Sequence, residues 1–241
     1  MAKTKIEWTE LTWNPVTGCT KYSSGCDNCY AFAMARRLQG RYGYPVDDPF
    51  RVTLRPNRLD QPLDWKKSGL VFVCSMADLF HKDVPTEYIL QVIDVMRRAD
   101  HHIFQVLTKR AHRLGEIEQM IEWPDNVWLG VTVESSKYQR RIDYLRFTTA
   151  SVKFLSIEPL LGAMHDLDLD GIDWVIVGGE VGTRSRPVKA EWVTDIRDQC
   201  QAAGTPFFFK QWGGRKPKVA GRMLEGVTWD EMPQQVVKTD S

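Results

Sequence analysis

The sequence predicts an α/β fold, a partial or full (β/α) barrel of parallel strands, and three observations carry that expectation. From residue 70 onward, short apolar runs of strand length alternate with charged stretches of helical period. With an N-terminal unit included the runs number about seven, enough to close or nearly close such a barrel. Polar side chains follow directly on the ends of these runs, at the rim where the loops of parallel α/β folds gather on a ligand. Periodicity alone leaves a barrel and an open, doubly wound sheet both available.

In chain order, Ile6 to Thr12 reads as a short first strand, residues 14 to 29 as a long loop, and Tyr30 to Leu38 as a helix rich in Ala and Met. The span from Gly40 to Gly69 interrupts the rhythm with Pro45, Pro49, Pro56 and Pro62, which predicts an irregular insertion. Leu70 to Cys74 is a buried strand. After Pro85 a helix follows, capped by Thr86, with Tyr88, Ile89, Val92, Ile93 and Met96 on one face. Ile103 to Leu107 precedes a helix over Leu114 to Ile121, and Val127 to Val131 precedes one over Lys137 to Leu145. Val152 to Leu155, Trp174 to Val177 and Pro206 to Phe209 complete the strands; a helix from Glu191 to Ala203, closed by Gly204, lies between the last two. One domain over residues 1–216 is expected, with 217–241 as surface loop and C-terminal tail.

The 32 basic and 31 acidic residues nearly cancel, so any nucleic-acid site must be local. One candidate is the stretch from Arg36 to Lys67, where eight cations, Arg51, Arg55 and Arg58 among them, face four acids. No apolar run reaches the 18 or so residues that span a bilayer, and the N-terminus lacks the apolar core of a signal peptide, which predicts a cytoplasmic protein with no membrane partner.

The strand ends supply the candidate site. Ser75, Asp78 and His81 follow the second strand; Lys109 and Arg110 the third; Glu134 the fourth; Glu158 the fifth; Gly178-Gly179-Glu180 the sixth; and Lys210-Gln211-Trp212 the seventh. A carboxylate so placed can bind an amine, a ribose hydroxyl or a cation. Trp13 and Trp212 flank the same rim and could stack on a base.

Five cysteines, an odd number, argue against a disulfide framework, and three of them, Cys19, Cys26 and Cys29, crowd into the loop after the first strand. Three thiolates can hold three irons of a [4Fe-4S] cube and leave the fourth open to a small ligand. Gly18 and Gly25 could then let the backbone wrap around inorganic sulfide. A structural zinc completed by Cys74 or His81 is the competing use of the same thiols, and would fit an adaptor or nucleic-acid-binding protein without catalysis. Cys74, inside an apolar strand, and Cys200, on a helix, read as packing residues.

In this loop the sequence resembles the radical S-adenosylmethionine superfamily, particularly its spore-photoproduct-lyase-like branch, whose loop reads approximately Asn-Pro-x-x-Gly-Cys-x3-Cys-x2-Cys-Tyr-Ala. Asn14, Pro15, Gly18, Cys19, Gly25, Cys26, Cys29, Tyr30 and Ala31 match; the first cysteine gap is six residues here, and Asn28 replaces the usual aromatic residue. Over about residues 4 to 216 the chain is similar to a family of phage and prophage proteins with a three-cysteine motif, regarded as radical-SAM-like and often encoded beside a dedicated partner protein. The resemblance implies a radical-SAM-like partial barrel with Cys19, Cys26 and Cys29 on a [4Fe-4S] cluster. S-adenosyl-L-methionine would chelate the fourth iron and yield a 5′-deoxyadenosyl radical that acts on a nucleic acid or a partner protein. In that superfamily a polar motif after the second strand binds the methionine amine; here the segment reads Ser75-Met-Ala-Asp78, while Glu180 becomes a candidate for ribose or substrate contact.

Overall fold

Seven parallel strands in chain order, curled through 201°, make the sheet of this protein a half-barrel. The computed structural model describes residues 2–234. Its elements are β1 (Ala2–Lys3), β2 (Leu11–Trp13), β3 (Val16–Thr17), α1 (Tyr30–Arg37), β4 (Thr53–Leu54), β5 (Leu70–Val73), α2 (Thr86–Arg98), β6 (Ile103–Thr108), α3 (Ala111–Ile117), β7 (Val127–Thr132), α4 (Arg140–Arg146), β8 (Val152–Ile157), β9 (Trp174–Gly178), α5 (Ala190–Ala203), β10 (Phe207–Gln211), α6 (Pro217–Ala220), β11 (Met223–Leu224) and β12 (Val227–Thr228). The sheet order is β1-β2-β5-β6-β7-β8-β9-β10, every pair from β2 onward parallel. Because the order never reverses, successive crossovers pack on one face, which selects the partial barrel over the doubly wound sheet.

The period-two alternation of the strands builds two cores. Val71, Val106, Leu129, Leu155 and Val177 face outward onto Ile89 and Met96 of α2, Leu114 of α3, Leu145 of α4 and Ile196 of α5. The inward set forms a separate aromatic floor of Phe72, Trp128, Phe154, Trp174 and Phe208, closed from below by Trp8. Burying each such side chain contributes about 1.5–3 kcal/mol. Trp8 is the reason the first strand starts at Leu11 and not at Ile6: the preceding residues turn beneath the sheet, and Gln105 donates to the Trp8 carbonyl at 3.1 Å.

Four further differences from the sequence reading have local causes. Pro85 occupies the N-cap of α2 and Thr86 is its first residue. α3 begins at Ala111, three residues before the first core-facing leucine. The long loop after β2 contains β3, which pairs with β4 of the insertion. Residues 217–231, read as surface loop and tail, instead form α6 and the β11–β12 hairpin and return along β10: Phe209 N–H donates to the Trp229 carbonyl, Trp174 Nε1 to that of Glu231, and Phe207 N–H to the Glu231 carboxylate. This covers an edge that would otherwise offer unpaired backbone groups, as β1 does at the opposite edge. The last part of the expected tail, 235–241, lies outside the described residues. Among the described residues no helix is long and apolar enough to cross a membrane.

Gly204 ends α5 in the left-handed region, φ 69°, its N–H bonded to the Cys200 and Gln201 carbonyls. Gly204→Ala is expected to cost about 1–2 kcal/mol in urea unfolding; a variant as stable as the parent would contradict this cap.

Candidate functional site

The chain leaves β2 through Asn14 and Pro15, crosses the C-terminal mouth of the half-barrel, and enters α1 at Cys29, which is that helix's N-cap. Cys19, Cys26 and Cys29 are unpaired and half-buried on this single crossing. Cys19 Sγ lies 4.0 Å from Arg110 Nη2, and Cys26 Sγ 3.8 Å from Ser23 Oγ. Cys29 sits at the positive end of the α1 dipole. Burial, with Asp78 second, pushes the Cys19 thiol up to about 11 against the opposing pull of Arg110, so binding a metal there releases a proton. Cys74 and Cys200 are core residues, their thiols pushed up chiefly by burial.

Each strand-end residue singled out in the sequence has a defined place. Ser75 exchanges hydrogen bonds with Asn14 at 3.1 and 3.3 Å, and its carbonyl accepts from Tyr30 Oη at 2.5 Å, tying the segment after β5 to both ends of the cysteine loop. Asp78 accepts from Thr108 Oγ1 at 2.7 Å and the Lys109 N–H at 3.0 Å, with Arg110 Nε at 3.9 Å; Arg110 in turn donates to the carbonyl and hydroxyl of Thr20. Glu134, fully buried, takes Arg141 at 2.8 Å and Lys109 at 3.0 Å, and accepts from Ser23. Glu180 receives Arg186 at 2.5 Å and Asn28 at 3.0 Å, and Arg186 also reaches the Ser24 carbonyl. Glu158 pairs with Lys210 at 2.7 Å and Gln211 at 3.3 Å, apart from the loop.

Three of these carboxylates therefore act first as struts. Glu134 and Glu180 bind the loop on either side of Cys26, and Asp78 braces it through Arg110. Asp78, Glu134 and Glu180 are buried, whereas Ser75 and Glu158 are partly exposed, Glu158 with both oxygens on Lys210. Gly25 has a clear reason: a Cβ there would meet the Glu134 carboxylate at 2.5 Å, while one at Gly18 would meet the Arg51 carbonyl. Both glycines make room for protein atoms. Asn28 is the residue of the cysteine loop that reaches Glu180.

Other expectations need correcting. Trp13 is 1% exposed, its indole N–H bonded to the Arg58 carbonyl and its ring against Phe104, so it offers no stacking face. Trp212 rests on Phe209 with ring centroids 4.7 Å apart. Of the eight cations in the stretch from Arg36 to Lys67 three have protein partners, Arg55 buried on Thr17, Arg51 on Asp47 and Arg58 on the Tyr42 carbonyl, while Arg36, Arg37, Arg41, Lys66 and Lys67 are exposed and make no ion pair among the described residues. His81 is buried, accepts the Asp83 N–H on Nδ1, and therefore donates from Nε2 to Thr20 Oγ1 at 2.8 Å; burial, then Arg110, holds it below the usual histidine range. Among the described residues no three His, Cys, Asp or Glu side chains converge as ligands of one ion. Arg141, Arg186 and Tyr22 are the site residues that sequence reasoning missed. The Tyr22 ring lies over the guanidiniums of Arg110 (4.6 Å) and Arg141 (5.5 Å).

The struts have a pH signature. Burial alone would raise Glu134 and Glu180, but Lys109 and Arg141 outweigh it at the first, and Arg186 and Asn28 at the second, leaving both below the ordinary value of 4.5. A carboxylate depressed in the folded state stabilises above its unfolded pKa and loses that contribution as pH falls through the folded one. The melting temperature is thus expected to hold down to about pH 4.5 and fall below it, less steeply in a Glu134→Gln, Glu180→Gln chain; equal slopes would contradict the assignment.

Fold and site together define a class, an α/β half-barrel whose first β/α loop carries three free thiols braced across its mouth by buried ion pairs. The chain belongs to the family described as "Protein of unknown function (DUF5131)", whose model matches residues 3–233. No curated protein and no solved structure matches it.

Proposed function

We propose that this protein is an iron–sulfur enzyme in which Cys19, Cys26 and Cys29 hold a [4Fe-4S] cluster and S-adenosyl-L-methionine binds beside it at the mouth of the half-barrel. The observation that carries the reading is the set of three free thiols on one braced loop, at the strand ends where α/β barrels bind ligands. The donor set fits the group. Thiolates are its ligands, and all three here are free on one loop. The tetrahedral alternative needs a fourth ligand, and of its two candidates His81 has both nitrogens engaged while Cys74 is enclosed in the core.

When bound, cluster and cofactor supply one-electron reductive cleavage of the sulfonium and removal of a hydrogen atom from a substrate C–H bond. The chain's own residues position and insulate. Arg110, 7% exposed and lacking a hydrogen-bond partner on Nε, places positive charge beside Cys19, where it offsets the anionic charge of thiolates and cluster. Ser23 with Glu134 and Asn28 with Glu180 fix the backbone on both sides of Cys26. The aromatic floor closes the lower end of the concave face to water, so a reactive group at the mouth is open on one side only. Ser75, held by Asn14, and Glu158, held by Lys210, are the partly exposed polar groups that would meet the cofactor's amine and hydroxyls. Incubating the reduced, anaerobically reconstituted protein with S-adenosyl-L-methionine should yield 5′-deoxyadenosine; a cluster-loaded protein that yields none would contradict the proposal.

A further inference from the structure

Two motifs near the end of the sheet, Gly178-Gly179-Glu180 and Trp212-Gly213-Gly214, have a joint task beyond the brace of Glu180 on Asn28. A Cβ on Gly213 would meet the Glu180 carbonyl at close range, and one on Gly179 would meet the Trp212 carbonyl, so the loops after β9 and β10 lie backbone against backbone. They are stitched there by a Val181–Gly214 bridge, with Gly214 N–H donating to Glu180 and Gly182 N–H to Gly214. The segments so joined, 181–189 and 212–222, contain seven cations and no Asp or Glu, in a chain whose net charge is +1.

Three of the seven have protein partners: Arg186 on Glu180, Lys189 on Glu191, and Arg222 on the Phe209 and Trp229 carbonyls. Arg184, Arg215, Lys216 and Lys218 are exposed and make no ion pair among the described residues. The ridge is anchored to the cysteine loop, since Asn28 donates to the Arg184 carbonyl at 3.0 Å and Arg186 to that of Ser24 at 2.8 Å. Two residues before Ser24, Tyr22 packs against the guanidiniums of Arg110 and Arg141 and is 46% exposed.

We propose that this ridge binds the phosphate backbone of a single-stranded nucleic acid and that Tyr22 stacks on one of its bases, which brings the strand across the mouth of the half-barrel. Fixed cations at the edge and an aromatic ring beyond them are what a strand with a repeating charge and exposed bases requires. An acidic polypeptide would engage the cations but has no use for the ring. As the substrate of the mouth, the nucleic acid rests on the iron–sulfur reading. Binding itself does not, and is measurable on the metal-free chain, so failure to bind and failure to assemble a cluster are separate results.

The experiment is fluorescence anisotropy of a labelled single-stranded oligonucleotide titrated with the full chain over a range of salt concentrations. Replacing Arg184, Arg215, Lys216 and Lys218 with Ala should weaken binding about 100- to 1,000-fold at 0.1 M salt and flatten the log–log salt slope by about 3. Tyr22→Ala should weaken it about tenfold. The paired Arg184→Lys, Arg215→Lys variant and a Lys66→Ala, Lys67→Ala control should bind like the parent. An unchanged melting temperature in the fourfold variant, whose altered side chains have no ion-pair partners, keeps the comparison clean. The proposal is overturned if the parent does not bind, if the fourfold variant binds within twofold of it, or if duplex or polyglutamate binds more tightly than the single strand.

Discussion

A Cys26→Ala chain purified without oxygen is expected to fold, to carry no intact cluster, and to cleave S-adenosyl-L-methionine at least 100-fold more slowly than the parent. The polar contact of the Cys26 thiol is with Ser23 Oγ, and the residue is half-buried on a short helical turn, so its truncation removes little packing. Three thiolates are the minimum that leaves one iron open; with two, a second iron loses its protein ligand and the cube has no stable seat. Cys200→Ala supplies the contrast. That side chain is fully enclosed between α5 and the sheet, and its loss should cost about 1–2 kcal/mol of stability while leaving iron content untouched. Full cluster content in Cys26→Ala, read by iron analysis and visible absorbance, would remove the basis of the assignment.

Glu134→Ala should be the most damaging single change among the struts, at about 3–5 kcal/mol in urea unfolding, because it leaves charges buried without their partner. Arg141 and Lys109 both point at this one carboxylate, and their side chains are only 9% and 22% exposed. Removing it also frees Ser23 and opens the space against which Gly25 is packed. Glu134→Gln keeps an acceptor for Arg141 and Ser23 and should cost less. Adding Arg141→Gln to Glu134→Ala should restore part of the loss, since the second change removes one of the stranded cations. A Glu134→Ala chain within 1 kcal/mol of the parent would show that the loop does not depend on this brace.

The parallel strands were legible because their apolar runs are buried on both faces; Val127–Thr132 is buried at every position, and such runs stand out without alternation. The two-residue strands β1, β3 and β4 leave no periodic trace, being defined by what lies beside them. The return of residues 229–231 along β10 was hidden for the same reason: its signal is one tryptophan and one glutamate whose partners are 20 to 60 residues away. At the mouth, position after a strand was enough to find Asp78, Glu134, Glu158 and Glu180. It could not reveal that all four would face protein cations, because Arg141 lies on a helix and Arg186 in a loop with no spacing rule connecting them to their acids. Asn28 carried no signal of its partner in the sequence, and its contact with Glu180 is visible only in the fold.

Metal and acid-labile sulfide content of the protein, purified and handled without oxygen, tests the central claim most directly. About four irons and four sulfides per chain are expected, as a cube held by Cys19, Cys26 and Cys29 requires. About one zinc per chain with no sulfide would contradict the account and return the three thiols to a structural role.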